Sequence, residues 1–452
     1  MAELCSEQNL LAASFFLSRP QRRTSCKQLF TTIAYQLSLL DPAIFRLTEK
    51  IASDCLQKKH DHQLQTLIID PLLAAQTGTL NTMVVVIDAL DECEDEDMVE
   101  RIISLLARIQ PPPSRLPLLF LITSRSEPYI AARFGSSDIR STTFSLDLRE
   151  FHPQADISLY LSCSMREIYE KRRHVMRNVA PPWPSPKDHQ DLVTQSSELF
   201  IFASTVLKFL DDKRRRPDQQ LRIILDIENP SNSSAYGNLD KLYSHIIPVP
   251  GEDEGSHSVL GIIMLLFKPL SIEDLAHLLQ RDSDDIRLAL QGLHSVLLIS
   301  DDEDNHPRIP IRPFHNSLRD FLLDRSRSGP SYIDLPVKHG DVARVCMQFM
   351  KMELRTGITF EELMRVYRIH DDHSFDDLCQ KFQKSSNAAL EYCCRNWVSH
   401  LMHASSSSEL LLDIENMSSE TIRAWSTCLH LLGSPNDDIA CVEKLRKWAK
   451  VS

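Results

Sequence analysis

The sequence predicts an α/β fold at the amino terminus, followed by a mostly helical region. Residues 84–87 read Val-Val-Val-Ile without polar alternation, which is typical of a strand covered on both faces in a parallel sheet. Apolar runs of this kind alternate with helical patterns through the first 150 residues. After about residue 150 the strand patterns largely stop. A parallel sheet is therefore expected first, and helices after it.

In the N-terminal region, four short runs predict strands and two longer periodic runs predict helices. The strands are predicted over residues 10–18, 84–87, 116–125 and 141–148, and the helices over 25–40 and 97–109. Acidic residues at the start of the second helix interact favourably with the helix dipole. Three prolines at 111–113 end that helix, because proline cannot continue the hydrogen-bond ladder.

After about residue 150 the order of predicted elements changes. Helices are predicted over 155–173 and 191–212, with a proline-rich turn at 180–186 between them. Two short helices follow at 270–280 and 284–293, and then two strands flank an acidic hairpin at 301–305. Helix, helix and β-wing are the pattern of a winged-helix domain. From about residue 340 the sequence is again helical.

Composition limits the kinds of function. A chain of 452 residues is long enough for about three domains. Its formal net charge of -12 gives no overall attraction to nucleic acid or to anionic membranes. The eleven cysteines contain no Cys-x-x-Cys pair, which favours buried free thiols over a metal site. Without a secretory pattern or a bilayer-length apolar run, the sequence predicts a cytoplasmic protein.

The buried strand at 84–87 ends on a carboxylate, Asp88. Ligands of parallel sheets bind beyond the carboxyl ends of the strands. A carboxylate placed there can hold a magnesium ion directly or through water. The alternative from the same residues is that Asp88 simply begins a turn.

The order and wording of several segments resemble NACHT domains, which are P-loop NTPases of the STAND class. The likeness is greatest to fungal proteins with a nephrocystin-3-like NACHT domain. Residues 84–92 resemble the Walker B segment, 118–128 the sensor 1 strand, 197–209 and 314–328 the helical and winged-helix segments, and 390–401 the helical segment that follows. The resemblance implies a partial NACHT NTPase domain at 1–150, a helical domain at 151–250, a winged helix at 251–335 and a C-terminal helical segment at 336–452.

The resemblance also implies residue roles in the N-terminal domain. Asp88 would coordinate magnesium, and Asp91 or Glu92 would orient the hydrolytic water. The chemistry is general, since a carboxylate near the γ-phosphate can position water while the metal offsets the developing charge. Arg125 would sense the γ-phosphate; its alternative is a surface ion pair.

Two further roles follow from the resemblance in the later domains. Phe200 falls near the position where relatives place a residue against adenine, although core packing is an equal alternative. His315 matches the winged-helix histidine that contacts the β-phosphate of ADP, with a purely structural histidine as the alternative. The ligands implied are ATP or ADP, with GTP as an alternative, together with Mg²⁺.

One departure from the family limits these expectations. A phosphate-binding loop needs Gly-x-x-x-x-Gly-Lys-[Ser/Thr], and none of the eleven glycines is followed by lysine. The family's loop comes shortly before a segment like the start of this sequence, so we expect an N-terminally truncated core. Nucleotide binding and hydrolysis should then be impaired. Loss of the strand that precedes the loop should expose two strand edges in mid-sheet.

Three functional hypotheses follow. The first is the core of a nucleotide-dependent NACHT signalling switch, which has little or no ATPase activity in this chain. The second is a non-catalytic scaffold or modulator that pairs with intact NACHT proteins. Both imply protein partners, including further copies of the chain, and neither nucleic acid nor membrane. The third, a DNA-binding winged helix, is disfavoured because the acidic hairpin would face phosphates.

Overall fold

The computed structural model of the chain contains two compact units, Met1–Leu148 and Arg149–Ser452. The structure describes residues 1–18, 25–40, 42–49, 55, 58–74, 83–109, 118–227, 236–249, 254–299, 309–356, 388–405, 407–432, 441, 443–445 and 448. The first unit ends close to residue 150, where the sequence predicts a domain boundary. The finer boundaries predicted within the second unit stay predictions.

The N-terminal unit contains a parallel sheet of three described strands. They are β1 (Leu11–Phe16), β2 (Met83–Asp88) and β3 (Leu118–Ile122), and they pair in that order. In the register, Phe16 lies opposite Asp88, and Ile87 lies opposite Ile122. The strands predicted at 10–18, 84–87 and 116–125 are confirmed. Because β2 pairs with both neighbours, the described part of the sheet does not show the two exposed strand edges that we expected in mid-sheet.

Helices cover this sheet. They are α1 (Ala2–Glu7), α2 (Leu29–Leu40), α3 (Pro42–Glu49), α4 (His60–Leu64), α5 (Asp70–Ala74), α6 (Glu96–Ala107), α7 (Pro128–Gly135) and α8 (Ser137–Arg140). Helix α2 buries Phe30, Ile33 and Leu37, which share one face at helical spacing. The side chain of Asp95 accepts a hydrogen bond from the backbone N–H of Met98 and caps α6. The predicted helices at 25–40 and 97–109 are therefore confirmed.

The strand predicted at 141–148 is wrong. Residues 143–147 have no regular structure, and a 3-10 helix, Leu148–Phe151, follows. Phe144 is 85% exposed, and Leu146 and Leu148 are also largely exposed. Alternating apolar residues form a stable strand only when a neighbouring strand completes the ladder. No described strand pairs with this segment, so its alternating apolar residues do not form a strand.

The C-terminal unit is helical apart from one short strand pair. Its helices are α9 (Gln154–Arg172), α10 (Pro186–Gln195), α11 (Phe200–Leu210), α12 (Pro217–Leu225), α13 (Gly237–Ile246), α14 (Glu254–Leu265), α15 (Ile272–Leu279), α16 (Ser283–Ala289), α17 (Asn316–Leu322), α18 (Arg325–Ser328), α19 (Leu335–Thr356), α20 (Ala388–His403), α21 (Ser408–Glu415) and α22 (Ser419–Leu431). One hydrophobic core extends through them, from Ile157 to Trp448. None of the helices described is both long and apolar enough to cross a bilayer.

The predicted hairpin is present as two short antiparallel strands, β4 (Leu297–Leu298) and β5 (Arg312–Pro313). The two short helices predicted before it correspond to α15 and α16. The acidic tip at 301–305 lies outside the described residues. Helix, helix and strand pair thus occur in the predicted order, while the winged-helix assignment itself stays a prediction.

The single helix predicted at 191–212 is wrong, because the chain breaks it into α10 and α11. Between them Ser197 and Glu198 adopt left-handed backbone conformations, with φ of 47° and 64°. The side-chain amide of Asn238 donates to the backbone oxygen of Gln195 at 2.9 Å, where α10 ends. This contact comes from a distant part of the sequence, so helical periodicity alone could not reveal the break.

The cysteines follow the prediction of free thiols. Those in the described residues are all free, and most are buried, including Cys346. Cys163, also predicted to be buried, is only partly so.

Candidate functional site

Polar side chains gather where β2 and β3 end in the N-terminal unit. Asp88 is the last residue of β2, and Thr123 follows β3 directly. The two strands are parallel neighbours, so their carboxyl ends meet at the same edge of the sheet. The backbone N–H of Thr123 donates to the oxygen of Ile87 at 3.0 Å, and the N–H of Leu90 donates to the oxygen of Thr123 at 3.0 Å. These bonds continue the pairing beyond the strands and fix both turns.

Thr123 holds the carboxylate of Asp88. Its hydroxyl donates to Asp88 Oδ1 and accepts a hydrogen bond of 2.9 Å from the backbone N–H of Ala89. Ala89 has a left-handed backbone, with φ of 60°, which directs the chain sharply away from the strand. A left-handed residue other than glycine is strained and persists because its surroundings hold it. Thr123 therefore both orients Asp88 and stabilises the strained turn.

Asp91 is held by Arg125. It lies on the 3-10 turn Leu90–Glu92, and only 5% of its surface is exposed. Its Oδ1 accepts a hydrogen bond of 3.0 Å from the backbone N–H of Arg125, and its Oδ2 lies 3.6 Å from the Arg125 Nε. The guanidinium end stays accessible, since 44% of the Arg125 side chain is exposed. Glu92, the next residue, is half-buried.

The structure thus brings Asp88, Asp91, Glu92 and Arg125 to one edge of the sheet. The described residues contain no cluster of three or more histidine, cysteine or acidic side chains that could hold a metal ion. A metal site built from three or more such side chains is therefore not present in that part of the chain. Magnesium commonly takes one or two carboxylates and completes its shell with water and phosphate oxygens. Asp88, with an orienting hydroxyl on one oxygen, fits that mode.

The shifted pKa values of three side chains, Cys93, Cys26 and Tyr129, describe the electrostatics around this turn. Cys93 follows Glu92 and is hydrogen-bonded to the thiol of Cys26, which lowers the pKa of Cys93 to about 6. The same contact, together with burial, raises the pKa of Cys26. Burial and the charges of nearby carboxylates, first among them Glu96, raise the pKa of Tyr129. The thiol contact therefore favours the thiolate form of Cys93, whereas the carboxylates around Tyr129 disfavour negative charge on its hydroxyl.

The sequence interpretation missed Thr123. Its signal was present, since it is the first polar residue after the apolar run Leu118–Ile122, as Asp88 is the first after the apolar run Met83–Ile87. Two polar residues that end neighbouring parallel strands are expected to meet. That inference needs the strand order, which the sequence did not establish.

His315 lies in the C-terminal unit, at the start of α17. Its Nδ1 accepts a hydrogen bond of 3.1 Å from the backbone N–H of Ser317 and lies 2.8 Å from the Ser317 hydroxyl oxygen. That oxygen lies 2.8 Å from the hydroxyl of Tyr243, whose pKa is raised to about 12 by burial. A protonated Tyr243 donates to Ser317, which donates to His315. Because Nδ1 accepts, the neutral imidazole carries its proton on Nε2.

Phe200 is the first residue of α11. Its ring is half-exposed and lies 6.1 Å, centre to centre, from the ring of Tyr160 on α9. The turn before it contains the left-handed residues Ser197 and Glu198, and Glu198 Oε1 lies 3.6 Å from His152 Nδ1. Phe200 is therefore a surface aromatic residue beside a strained turn, and core packing does not account for its position.

A comparison with known protein families identifies one similarity. Residues 1–125 match the family model of the nephrocystin 3 N-terminal region. The matched residues contain all three strands of the sheet and extend from Met1 to Arg125. The chain matches no curated protein. The N-terminal unit is therefore similar to the N-terminal region of nephrocystin 3.

Proposed function

We propose that this chain is the core of a nucleotide-dependent signalling switch of the fungal NACHT type, with weakened nucleotide binding. The observation that carries the proposal is the arrangement of Asp88 and Asp91 at the carboxyl end of β2. Each is held by a group that follows β3, Thr123 for the first and Arg125 for the second. The similarity of residues 1–125 to the nephrocystin 3 N-terminal region supports it.

Asp88 is the proposed magnesium ligand. Thr123 engages one carboxylate oxygen, which leaves the other oxygen to face a cation. A bound Mg²⁺ would bridge phosphate oxygens and offset their negative charge. Thr123 keeps the carboxylate in one orientation, so that little ordering is needed when the ligand arrives.

The roles of the other two acidic residues divide on geometry. Both oxygens of Asp91 already contact Arg125, so Asp91 is suited to position the arginine. Glu92 is the better of the two candidates for orienting a water molecule, because it lies on the same turn and is less buried. Arg125, with an accessible guanidinium, would neutralise a γ-phosphate.

His315 and Phe200 are the proposed nucleotide contacts in the C-terminal unit. Since Nδ1 of His315 accepts from Ser317, the proton of the neutral ring lies on Nε2, and an imidazole N–H is a donor that suits a phosphate oxygen. The half-exposed ring of Phe200 offers a flat apolar face of the kind that packs against a base. Each residue lies at a helix start that its own unit fixes.

The sequence provides no Gly-x-x-x-x-Gly-Lys loop, so the backbone cradle and the lysine that usually carry most phosphate affinity are missing. Of the phosphate-binding groups proposed above, the N-terminal unit keeps one metal-binding carboxylate and one arginine. We therefore expect millimolar binding of ADP or ATP, with GTP as a weaker alternative, and little or no hydrolysis.

A titration of fluorescent ADP and ATP into the full chain, with and without Mg²⁺, tests the proposal. Asp88→Ala should abolish the magnesium-dependent part of binding, and His315→Ala should weaken binding of ADP. Asp138→Ala and His174→Ala are matched controls, since both remove an exposed side chain of the same type from the same unit. They should leave binding unchanged.

Two outcomes would contradict the proposal. If a folded chain shows no binding at millimolar nucleotide, a nucleotide switch is excluded. If binding is unaffected by Asp88→Ala and His315→Ala, the nucleotide binds elsewhere and the site assignment is wrong. Circular dichroism of every variant separates these outcomes from loss of folding.

A second candidate function is a scaffold that pairs with intact NACHT proteins. The exposed apolar residues Phe144, Leu146 and Leu148 favour it, because they alternate like a strand yet have no described strand partner. The double substitution Phe144→Ser and Leu146→Ser should prevent co-purification with an intact relative. Leu159→Ser, which changes an exposed leucine elsewhere, should not. Retention of the relative by the double variant would argue against this function.

A further inference from the structure

A buried chain of hydrogen bonds connects three segments of the C-terminal unit. The backbone N–H of Phe267, just after α14, donates to the hydroxyl oxygen of Tyr392 on α20 at 3.0 Å. That oxygen lies 2.6 Å from Nε2 of His400, also on α20. Nδ1 of His400 lies 2.8 Å from Nδ1 of His339 on α19. We refer to these four residues as the histidine relay.

Tyr392 accepts a hydrogen bond at its hydroxyl oxygen from the backbone N–H of Phe267, because a backbone N–H can only donate. We assign the hydroxyl proton of Tyr392 to the bond with His400 Nε2. A neutral His400 then carries its proton on Nδ1 and donates to His339 Nδ1. His339 in turn carries its proton on Nε2. This arrangement uses each proton once and requires both imidazoles to be neutral.

The relay lies in the interior of the unit. His400 is 0% exposed and His339 is 7% exposed. The ring of Phe267 lies 4.4 Å, centre to centre, from the ring of His400 and 5.9 Å from that of His339. Water is therefore excluded, and a polar group that loses its partner here has no solvent to replace it.

Protonation removes what the relay depends on. When both rings are protonated, each Nδ1 carries a proton, so that two donors meet at a distance of 2.8 Å. A proton on His400 Nε2 would face the hydroxyl proton of Tyr392. The rings of His339 and His400, whose centres lie 5.0 Å apart, would then each carry a positive charge. Each change replaces an attractive contact with a repulsive one.

We propose that the histidine relay is an acid-sensitive latch that holds α19, α20 and the segment after α14 together only while both imidazoles are neutral. The inference does not depend on the proposed nucleotide function. The rings are neutral in the closed state and free to take up protons in the opened state, where histidine titrates near about pH 6.5. The latch is therefore fully effective above that pH and weakens as the pH falls below it.

The other histidines on the surrounding elements serve as references. His403 on α20 is exposed, with its ring centre 5.1 Å from that of His339. His277 on α15 is exposed, and His430 on α22 bonds to Ser426 of its own helix. His257 on α14 lies 3.3 Å from the oxygen of Ser331. Of the four, His403 contacts the relay and is the appropriate control.

The charged groups on the packed elements form pairs with one another. On the segment after α14 and on α20, Lys268 and Arg395 both pair with Glu391. On α19, Lys338 pairs with Asp341, and Arg344 pairs with Glu409 and Asp413 of α21. On α15, Glu273 pairs with Arg287 of α16. Each of these carboxylates is engaged with a basic side chain, and the proposed acid sensitivity is assigned to the histidines.

Hydrogen exchange of the full chain at pH 7.5 and pH 5.5, corrected for intrinsic exchange rates, tests the latch. Opening that takes up one proton should become about tenfold more frequent over this range, and about hundredfold if both rings are protonated. The effect should appear in peptides from α19 and α20. His339→Asn keeps an acceptor near the Nδ1 position without a titrating group and should reduce the pH effect about tenfold. His403→Asn should not change it.

A tautomer measurement keeps the proposal testable if a variant fails to fold. Nitrogen–proton correlation spectra of the histidine-labelled wild-type chain should show Nδ1–H for His400 and Nε2–H for His339 at pH 7.5. Equal opening of α19 and α20 at both pH values would overturn the latch. So would an Nε2–H tautomer for His400, or a pH effect that His403→Asn removes and His339→Asn does not.

Discussion

The two polar networks of this protein differ in their access to solvent. At the end of the sheet in the N-terminal unit, Thr123 and Arg125 are exposed while they hold Asp88 and Asp91. In the C-terminal unit, Tyr392, His400 and His339 of the histidine relay are buried, and Phe267 is partly buried. In both networks a backbone N–H fixes the first side chain.

Access to solvent decides what each network can do. An exposed network can exchange a partner for water or a ligand at little cost, because the released group stays solvated. A buried network cannot, since a released polar group is left without any partner. Substitutions in the first network should therefore change ligand binding more than stability, and substitutions in the second should change stability.

The largest effect is expected for His400→Leu. The change removes the two buried hydrogen bonds that His400 makes with the Tyr392 hydroxyl and with His339 Nδ1, at about 1–3 kcal/mol for each lost bond. The free energy of unfolding of the C-terminal unit should fall by about 3 kcal/mol, measured by urea titration with hydrogen exchange of α20 peptides. His403→Leu is the control and should change it by less than about 0.5 kcal/mol. Equal effects of both changes would show that burial does not govern this network.

A smaller effect is expected for Asp91→Ala. The change removes the acceptor of the Arg125 backbone N–H and one partner of its guanidinium, but the Arg125 side chain is 44% exposed and can turn to water. We expect the N-terminal unit to lose about 1–2 kcal/mol of unfolding free energy. Asp91→Asn keeps an acceptor oxygen and should recover about half of the loss. A loss as large as that of His400→Leu would mean that the Asp91 network behaves as buried.

Two Arg–Asp ion pairs, one in each unit, allow the units to be compared with the same side-chain types. Arg327 and Asp240 in the C-terminal unit form a bidentate pair with contacts of 2.7 and 3.0 Å, and both side chains are mostly buried. Arg101 and Asp61 in the N-terminal unit form a pair of 2.7 Å that is about half-exposed. Arg327→Met should destabilise its unit by about 1 kcal/mol, and Arg101→Met by less than about 0.5 kcal/mol. Urea titrations at low and high salt measure both losses, and only the second should disappear at high salt.

The exposed pair also predicts a pH dependence of definite sign. The hydrogen bond from Arg101 lowers the pKa of Asp61 below its ordinary value. A carboxyl group whose pKa is lowered by folding stabilises the fold above its unfolded pKa, near about 3.9, and loses this effect as the pH falls through the folded pKa. Arg101→Met should therefore flatten the acid limb of unfolding only below about pH 4. A change near neutral pH would contradict this origin.

Much of the N-terminal unit could be predicted because its signals are local. Four β-branched residues in a row identified β2, and the aspartate that ends it identified the edge of the sheet where polar groups meet. The same reasoning failed at 141–148, because alternation shows which face a strand would bury but not whether a partner strand exists. It also missed Thr123, whose role depends on the order of the strands.

The C-terminal unit was less predictable because its polar contacts join distant segments. Helical periodicity located α15 and α16, but it did not predict the break before Phe200, which a contact from Asn238 stabilises. His339 and His400 lie 61 residues apart, and only His400 belongs to a segment that carries the family resemblance, 390–401. Nothing in the sequence pairs the two histidines, since a histidine on a helix is more often an isolated surface or core residue.

The smallest effect on stability is expected for Ala89→Gly, and it separates the two kinds of network most sharply. Glycine relieves the left-handed strain at this position, about 1 kcal/mol, while its added freedom in the unfolded chain offsets about 0.5–1 kcal/mol. Unfolding of the N-terminal unit should therefore change by less than about 0.5 kcal/mol. Because Ala89 connects Asp88 to the bond with Thr123, the more flexible turn should still weaken magnesium-dependent nucleotide binding. Ala89→Val, which adds a β-branched side chain in the left-handed region, should destabilise the unit by about 1–2 kcal/mol. If glycine leaves both stability and binding unchanged, the left-handed turn has no part in positioning Asp88.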